Sequence, residues 1–390
     1  MSDGRTEVLD RPESRPAKTT EREQPVYFDS WDLLAILAFT VVAFVLRFYS
    51  PIMPDFFLHP FQGPFISDCV SSTPIDPAGN PGKLCGLSYP FNRGYPDNNG
   101  VLSPPHGQVF DEIYFPVDAY NDLKGMQLCR PTMTDDPLAS RPEGACPYNY
   151  FDPEPPLAKT MIGAGEWAYG WYRAQYQGAT GNIVDLGFNT FGWRIAVCIF
   201  GTLCVPLMYL LARRLWPNRL FAIAAATLVC FDGMFFLQSR IGMIDIFPIF
   251  FILTAYFLFL VHIQSRSFNA SMVSLLALGI VLGIGIAAKW IVLAAWLSIC
   301  FWLVARIVLR RLNFEFGPRG WPFLSWRRDH GPVVSRMMLP TYVAVAAVAL
   351  VVIPAGIYLV SWYPFFARGQ FQSFNDLVAY TQWSFSYHHT

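Results

Sequence analysis

Charge is what this chain has least of. Only 14% of its 390 residues are Asp, Glu, Lys or Arg, and 28 basic residues offset 28 acidic ones to a formal net charge of zero. A nucleic-acid surface needs a basic excess, so that class is excluded. The glycine-rich phosphate cradles of nucleotide enzymes are also missing, which points away from a nucleotide-linked substrate. Eight cysteines show no structural-zinc spacing, and no internal repeat stands out.

What the chain has in quantity is apolar surface: 53% of residues are hydrophobic and 16% aromatic. That is too apolar for a soluble domain of this length. Several runs approach the roughly 20 apolar residues that cross a hydrocarbon core. The expected fold class is an α-helical multispan membrane protein with about seven transmembrane helices, near 31–48, 191–211, 220–236, 244–263, 272–287, 290–309 and 338–358. Residues 1–30 mix acids, bases, Pro, Ser and Thr and read as a disordered cytoplasmic tail rather than a cleavable signal. Residues 49–190 form a large first loop, 191–363 hold the six further spans, and 364–390 form a last segment outside the membrane.

Basic residues orient the chain. Arg213, Arg214 and Arg219 follow the second span, Arg266 the fourth, and seven arginines between positions 306 and 336 the sixth. The positive-inside bias then predicts a cytoplasmic N-terminus and an extracytoplasmic first loop; if the source is bacterial, the membrane is the plasma membrane. Four cysteines fall in that loop, Cys69, Cys85, Cys129 and Cys146, and suggest disulfides whose three pairings stay open. The loop is rich in Pro, Gly, Asn and Asp, so turns should dominate it, with interfacial helices where apolar residues cluster.

Inside the loop, GQVFDEIYF sets Asp111 and Glu112 side by side among aromatic and β-branched residues. Solvated charge is the plain reading, but a half-buried or membrane-lying carboxylate is costly without a purpose. A second stretch, NYFDPEPPLAKTMIGAGEWAYG, opens a short amphipathic helix after Pro155-Pro156, with Leu157, Met161, Ile162 and Trp167 expected on one face. Asp152 and Glu154 stand at its mouth, where capping is the plain reading. FDGMFFLQSRIGMIDIF places Asp232, Gln238, Arg240 and Asp245 near the outer boundary, joined there by Lys289, Arg368 and Arg194. Arg240, Lys289 and Arg368 run against the positive-inside bias beside the carboxylates, which suggests an anionic lipid substrate held by its phosphate.

FDEIYF, FDPEPPLAK, GWRIAVCIFGTLCVPLMYLLARRLW, DGMFFLQSRIGMIDIF, AAKW and WYPFFARG occur in an order and spacing that resemble the protein O-mannosyltransferase family. The resemblance implies a GT-C-like fold and an inverting transferase. Such an enzyme moves mannose from a polyprenyl or dolichyl phosphate to Ser or Thr hydroxyls of a protein acceptor outside the membrane. It also implies Asp111 and Glu112 as the catalytic pair, with Asp111 the expected general base. Arg240, Lys289, Arg368 and Lys159 are the expected groups for the donor phosphate or sugar, and Asp152, Glu154, Gln238 and Asp245 the supporting ones. The scheme calls for no cofactor and no metal. Where the family carries Asp-x-His-Pro-Pro, this chain has Glu154, and Tyr114 stands where His is frequent; both change the local charge. The family continues past a segment like 374–390, so a further part or an additional subunit is expected. The rival readings are a related enzyme glycosylating a lipid or glycan, a transporter, and a non-catalytic membrane subunit.

Overall fold

The computed structural model describes residues 28–48, 112, 115–125, 153–188, 190–216, 218–265, 267–311, 338–369 and 371–387. These are helical, with no strand among the described residues. In chain order they form α1 (Ser30–Phe48), α2 (Phe115–Lys124), α3 (Leu157–Tyr176), α4 (Ile183–Gly187), α5 (Thr190–Leu215), α6 (Arg219–Phe231) and α7 (Gly233–Gln238). Then follow α8 (Ile246–Gln264), α9 (Phe268–Ala288), α10 (Val292–Arg311), α11 (Leu339–Ala347), a π-helical turn (Val348–Val352), α12 (Ile353–Ser361), α13 (Tyr363–Ala367) and α14 (Phe374–Tyr387).

Five segments are long and apolar enough to cross a membrane: Ser30–Phe48, Phe191–Leu215, Ile246–Gln264, Phe268–Ala288 and Leu339–Ala367. Two shorter apolar helices, Arg219–Phe231 and Val292–Val308, accompany them. The chain is thus a multi-pass membrane protein. Its lipid-facing surface is plain on α1, where Trp31, Leu33, Leu37, Val41 and Phe44 stay exposed.

The structure departs from the sequence expectation at a helix end, at a helix face and at the last span, which continues to Ala367. The third span does not run to 236: α6 stops at Phe231, and the Asp232 carboxylate accepts the Phe235 N–H at 2.7 Å, starting α7 afresh. A short acceptor side chain captures an orphan helix donor there, which apolar content alone does not reveal. On α3 the expected apolar face is buried only in part, with Ile162 buried and Met161 packed against the core. Ala158, Lys159, Ile162, Gly163, Gly165, Glu166 and Gly170 are buried, whereas Trp167 is 48% exposed. Small residues face inward because the backbones nearly touch: a Cβ on Gly187 would overlap the Glu166 carbonyl oxygen.

α5 is the hub, packing against α1, α3, α6 and α8; α8 packs on α9, and α9 on the π turn and α12. The last contact is equally tight, since a Cβ on Gly279 would overlap the Ala349 carbonyl. α2 lies on α3, and the two cover α5 and α8 through a core of Tyr120, Ile162, Phe188, Trp193, Val197 and Phe247. Alternating helix directions bring Arg47, Arg194, the 239–245 connector and the Lys289 turn to one end of the bundle.

Candidate active site

Glu112 is the centre of that end. Its side chain is fully buried, and its carboxylate accepts Arg194 Nε and Nη2, each at 2.6 Å, in a fork-to-fork pair. Trp193 Nε1 adds a bond of 3.2 Å to Oε1, and the backbone N–H of Gly242 donates to the same oxygen. A buried ion pair holds only when its remaining lone pairs are satisfied, and here they are. The consequence is mechanical: one carboxylate ties the first loop to the start of α5 and to the 239–245 connector.

Asp111, Asp152, Tyr114 and the four loop cysteines lie outside the described residues. The span cysteines Cys198, Cys204, Cys230 and Cys300 are free thiols.

Beside Glu112 lies Arg240, fully buried, with its guanidinium 4.9 Å from the centroid of the Phe236 ring. Burial pulls its pKa below the ordinary range, and the like charges of Arg194 and Arg47 act the same way against the nearby Cys198. A guanidinium keeps its proton in proteins, so Arg240 stays charged there. Gln238 closes α7 half-buried, and Asp232 is occupied as the α7 cap.

Lys289 sits in the turn between α9 and α10. Its ammonium is 2.6 Å from Asp245 Oδ1 and 3.4 Å from Glu154 Oε1. Burial disfavours the ammonium, but the two carboxylates more than offset it and its pKa rises. Glu154 thus pairs with Lys289 just before α3, whose N-cap residue Pro156 makes no side-chain cap bond.

Lys159 and Arg368 form a separate network. Lys159 is fully buried 3.8 Å from Asp118, while Arg368 Nη1 meets Asp122 Oδ1 at 2.6 Å. Burial pulls Lys159 down and pushes Asp118 up, each opposed by the other's charge. These pairs fasten α2 to α3 and to the end of α13. One further acid is isolated: Glu166 on α3 is fully buried with neither carboxylate oxygen hydrogen-bonded, and burial pushes its pKa well above the usual range. An apolar cavity of about 990 Å³, lined by Trp290, Trp296, Leu350, Tyr358 and Phe385, opens next to the Lys289 turn. Among the described residues no three His, Cys, Asp or Glu side chains gather as a metal site.

The family model of dolichyl-phosphate-mannose-protein mannosyltransferases matches residues 148–367, more than half of the chain. This chain belongs to that family. A polyprenol-phosphate-mannose–protein mannosyltransferase of Mycolicibacterium smegmatis is 26% identical over 232 residues, which is 55% of this chain and 39% of the relative. One of the same description from Corynebacterium glutamicum is 38% identical over 101 residues, 26% of this chain and 16% of the relative. The chain therefore spans well under half the length of these relatives. Among solved structures, the Saccharomyces cerevisiae protein O-mannosyltransferase Pmt1-Pmt2 complex bound to the sugar donor shares the fold. Its TM-score is 0.54 at 18% identity, over 88% of this chain and 34% of that one.

In this mannosyltransferase-family chain, Glu154, Lys159, Arg194, Gln238, Arg240, Asp245 and Lys289 fall inside the matched region. Asp111 and Glu112 precede it. Several residues of the site escaped the sequence reading, among them Trp193 and Gly242 on the Glu112 carboxylate and Arg47. Arg47, in the last turn of α1, is fully buried and donates from Nε to Ser239 Oγ at 2.8 Å. Its guanidinium lies 5.4 Å and 5.8 Å from the ring centroids of Phe235 and Phe236, and its Nη2 has no hydrogen-bond partner. An arginine inside the edge of an apolar span was the signal that could have found it.

Proposed function

We propose that this chain carries the catalytic centre of a glycosyltransferase that moves mannose from a polyprenyl phosphate to Ser or Thr hydroxyls of proteins. The centre works on the extracytoplasmic face and the reaction inverts the sugar carbon. The observation that carries the reading is the Glu112 clamp, with Arg194, Trp193 and Gly242 on the carboxylate and Arg240 and Arg47 alongside. The clamp holds Glu112 at a fixed place beside buried positive charge, and Asp111 is its neighbour in the sequence.

The two acids then divide the work. Glu112 has its oxygens occupied and positions the chain; Asp111 is the general base. As Asp111 takes the hydroxyl proton, the acceptor oxygen attacks the anomeric carbon from the face opposite the phosphate, and the carbon–oxygen bond to phosphate breaks. Such proton removal contributes on the order of 10²- to 10⁴-fold. The leaving phosphate gains charge, which Arg240 stabilises in this scheme. Lys159 and Arg368 join α2 to its neighbours in this scheme. Arg213, Arg214 and Arg219 gather at the opposite end of the bundle, which supports a cytoplasmic N-terminus. A further part of the protein, or a partner subunit, completes the acceptor groove.

The test uses membranes containing the chain, labelled polyprenyl-phosphate mannose and a Ser/Thr-rich peptide, with Asp111→Asn as the comparison. Transfer by the wild type should fall at least about a hundredfold in the variant. Transfer that survives would move the base elsewhere, and a folded wild type that stays inactive when the further part or partner subunit is supplied would overturn the reading.

A further inference from the structure

The 239–245 connector has two differently charged ends. Arg240 is at one, Asp245 at the other, and Gly242 between them holds Glu112. Five residues reach at most about 17 Å, so the two ends border one site. Around Arg240 the guanidiniums of Arg47, Arg194 and Arg240 are all buried, against the carboxylate of Glu112. Among the described residues positive charge is in excess there. Around Asp245 the order is reversed, because two carboxylates, Asp245 and Glu154, surround the single ammonium of Lys289. The Lys289 and Asp245 side chains are 25% and 29% exposed, so this group forms an open rim.

Glu154 is held firmly at its post. The carbonyl of Pro153 accepts the Ser384 hydroxyl from α14, and Pro155 and Pro156 stiffen the chain beyond it. An anion approaching Lys289 must pass one carboxylate and displace another, whereas near Arg240 it meets an excess of cations.

We propose that Glu154 is a specificity-determining positioning residue, which holds Lys289 on Asp245 and so keeps this lysine from the donor phosphate, leaving the phosphate to Arg240. The proposal rests on the glycosyltransferase reading above. It assigns Lys289 a role opposite to that expected from its charge alone. Glu154 stands where the resemblance expects a histidine, so the device would belong to this chain's own version of the motif.

The experiment measures binding of sugar-free polyprenyl phosphate to the purified chain, together with KM and kcat for the mannosyl donor. Glu154→Gln should lower the Kd about three- to tenfold at low salt and lower KM with kcat little changed; the gain should shrink at high salt. Lys289→Gln alone should change Kd less than about twofold yet abolish the gain when combined with Glu154→Gln. Arg240→Gln should weaken binding in both backgrounds, and Glu154→Asp should keep the wild-type Kd. The proposal is overturned if Lys289→Gln alone weakens binding as much as Arg240→Gln, or if Glu154→Gln leaves Kd unchanged or raises it. A wild type that binds no polyprenyl phosphate would overturn the glycosyltransferase reading itself, and this proposal with it.

Discussion

The two ends of the bundle each hold a buried carboxylate gripped by an arginine of α5, yet they handle charge differently. At the end away from the site, Asp32 in the first turn of α1 accepts Tyr209 Oη at 2.6 Å and Arg213 Nε at 3.0 Å. Arg219 closes the group through Asp29 and Asp32, with its side chain 42% exposed, and half-buried Arg214 reaches Gln264 at 3.1 Å. Excess charge there reaches water, and the partners tie helix ends together. At the site end, Arg47, Arg194 and Arg240 are all buried around Glu112. Water does not screen them, so their fields act undamped on what lies beside them. The comparison teaches that a buried carboxylate–arginine pair alone does not distinguish the two ends; the gathering of buried arginines around Glu112 does.

Three substitutions sharpen or break that contrast. The largest effect is expected from Arg194→Met, which leaves Glu112 buried without its fork partner. Stability should fall by about 3–5 kcal/mol, read from the thermal midpoint in detergent, and transfer should be lost. Unchanged stability would show that the clamp is not what holds the first loop to α5. Next comes Asp32→Asn, which weakens charge-assisted bonds at the opposite end. A loss of about 1.5–3 kcal/mol is expected, while transfer per folded molecule stays within about twofold of wild type. If transfer fell as far as in Arg194→Met, the two ends would not be functionally separate.

The smallest effect, and the one with a pH signature, concerns Glu166 at the site end. Burial raises its pKa in the folded chain, so between the unfolded and folded values the native state holds a proton that the unfolded state has lost. Wild-type stability therefore declines as pH rises above about 4.3, by up to about 1.4 kcal/mol per pH unit, until the folded pKa is passed. Glu166→Gln should flatten this slope, so that the variant gains on the wild type as pH rises through that window, with little change near pH 4. Parallel pH profiles for the two proteins would show that Glu166 finds a partner in solution.

Much of the fold was legible in the amino acids because bilayer crossing is a local property. Apolar runs of the right length located the five long spans to within a few residues, apart from the continuation of the last one to Ala367. The break at Asp232 and the inward face of α3 were less legible, since a cap and a glycine contact depend on the chain that packs against them. Among site residues, Glu112, Arg240, Lys289, Asp245 and Glu154 were singled out by charge at a boundary, while Arg47 was hidden within an apolar run.

What the sequence by itself determined is the class of molecule: scarce charge and long apolar runs require helices in a bilayer, and arginine placement suggests which ends face the cytoplasm. Its motifs also resemble the family to which the chain belongs. Only the tertiary structure decided how the charges pair, with Glu112 on Arg194, Lys289 between Asp245 and Glu154, and Arg368 on Asp122. Those partners are separated by 44 to 246 positions along the chain, and no local propensity encodes which distant side chain comes within 3–4 Å. Packing sets that distance, and in a buried site distance and burial decide whether a charge clamps the fold or awaits a ligand.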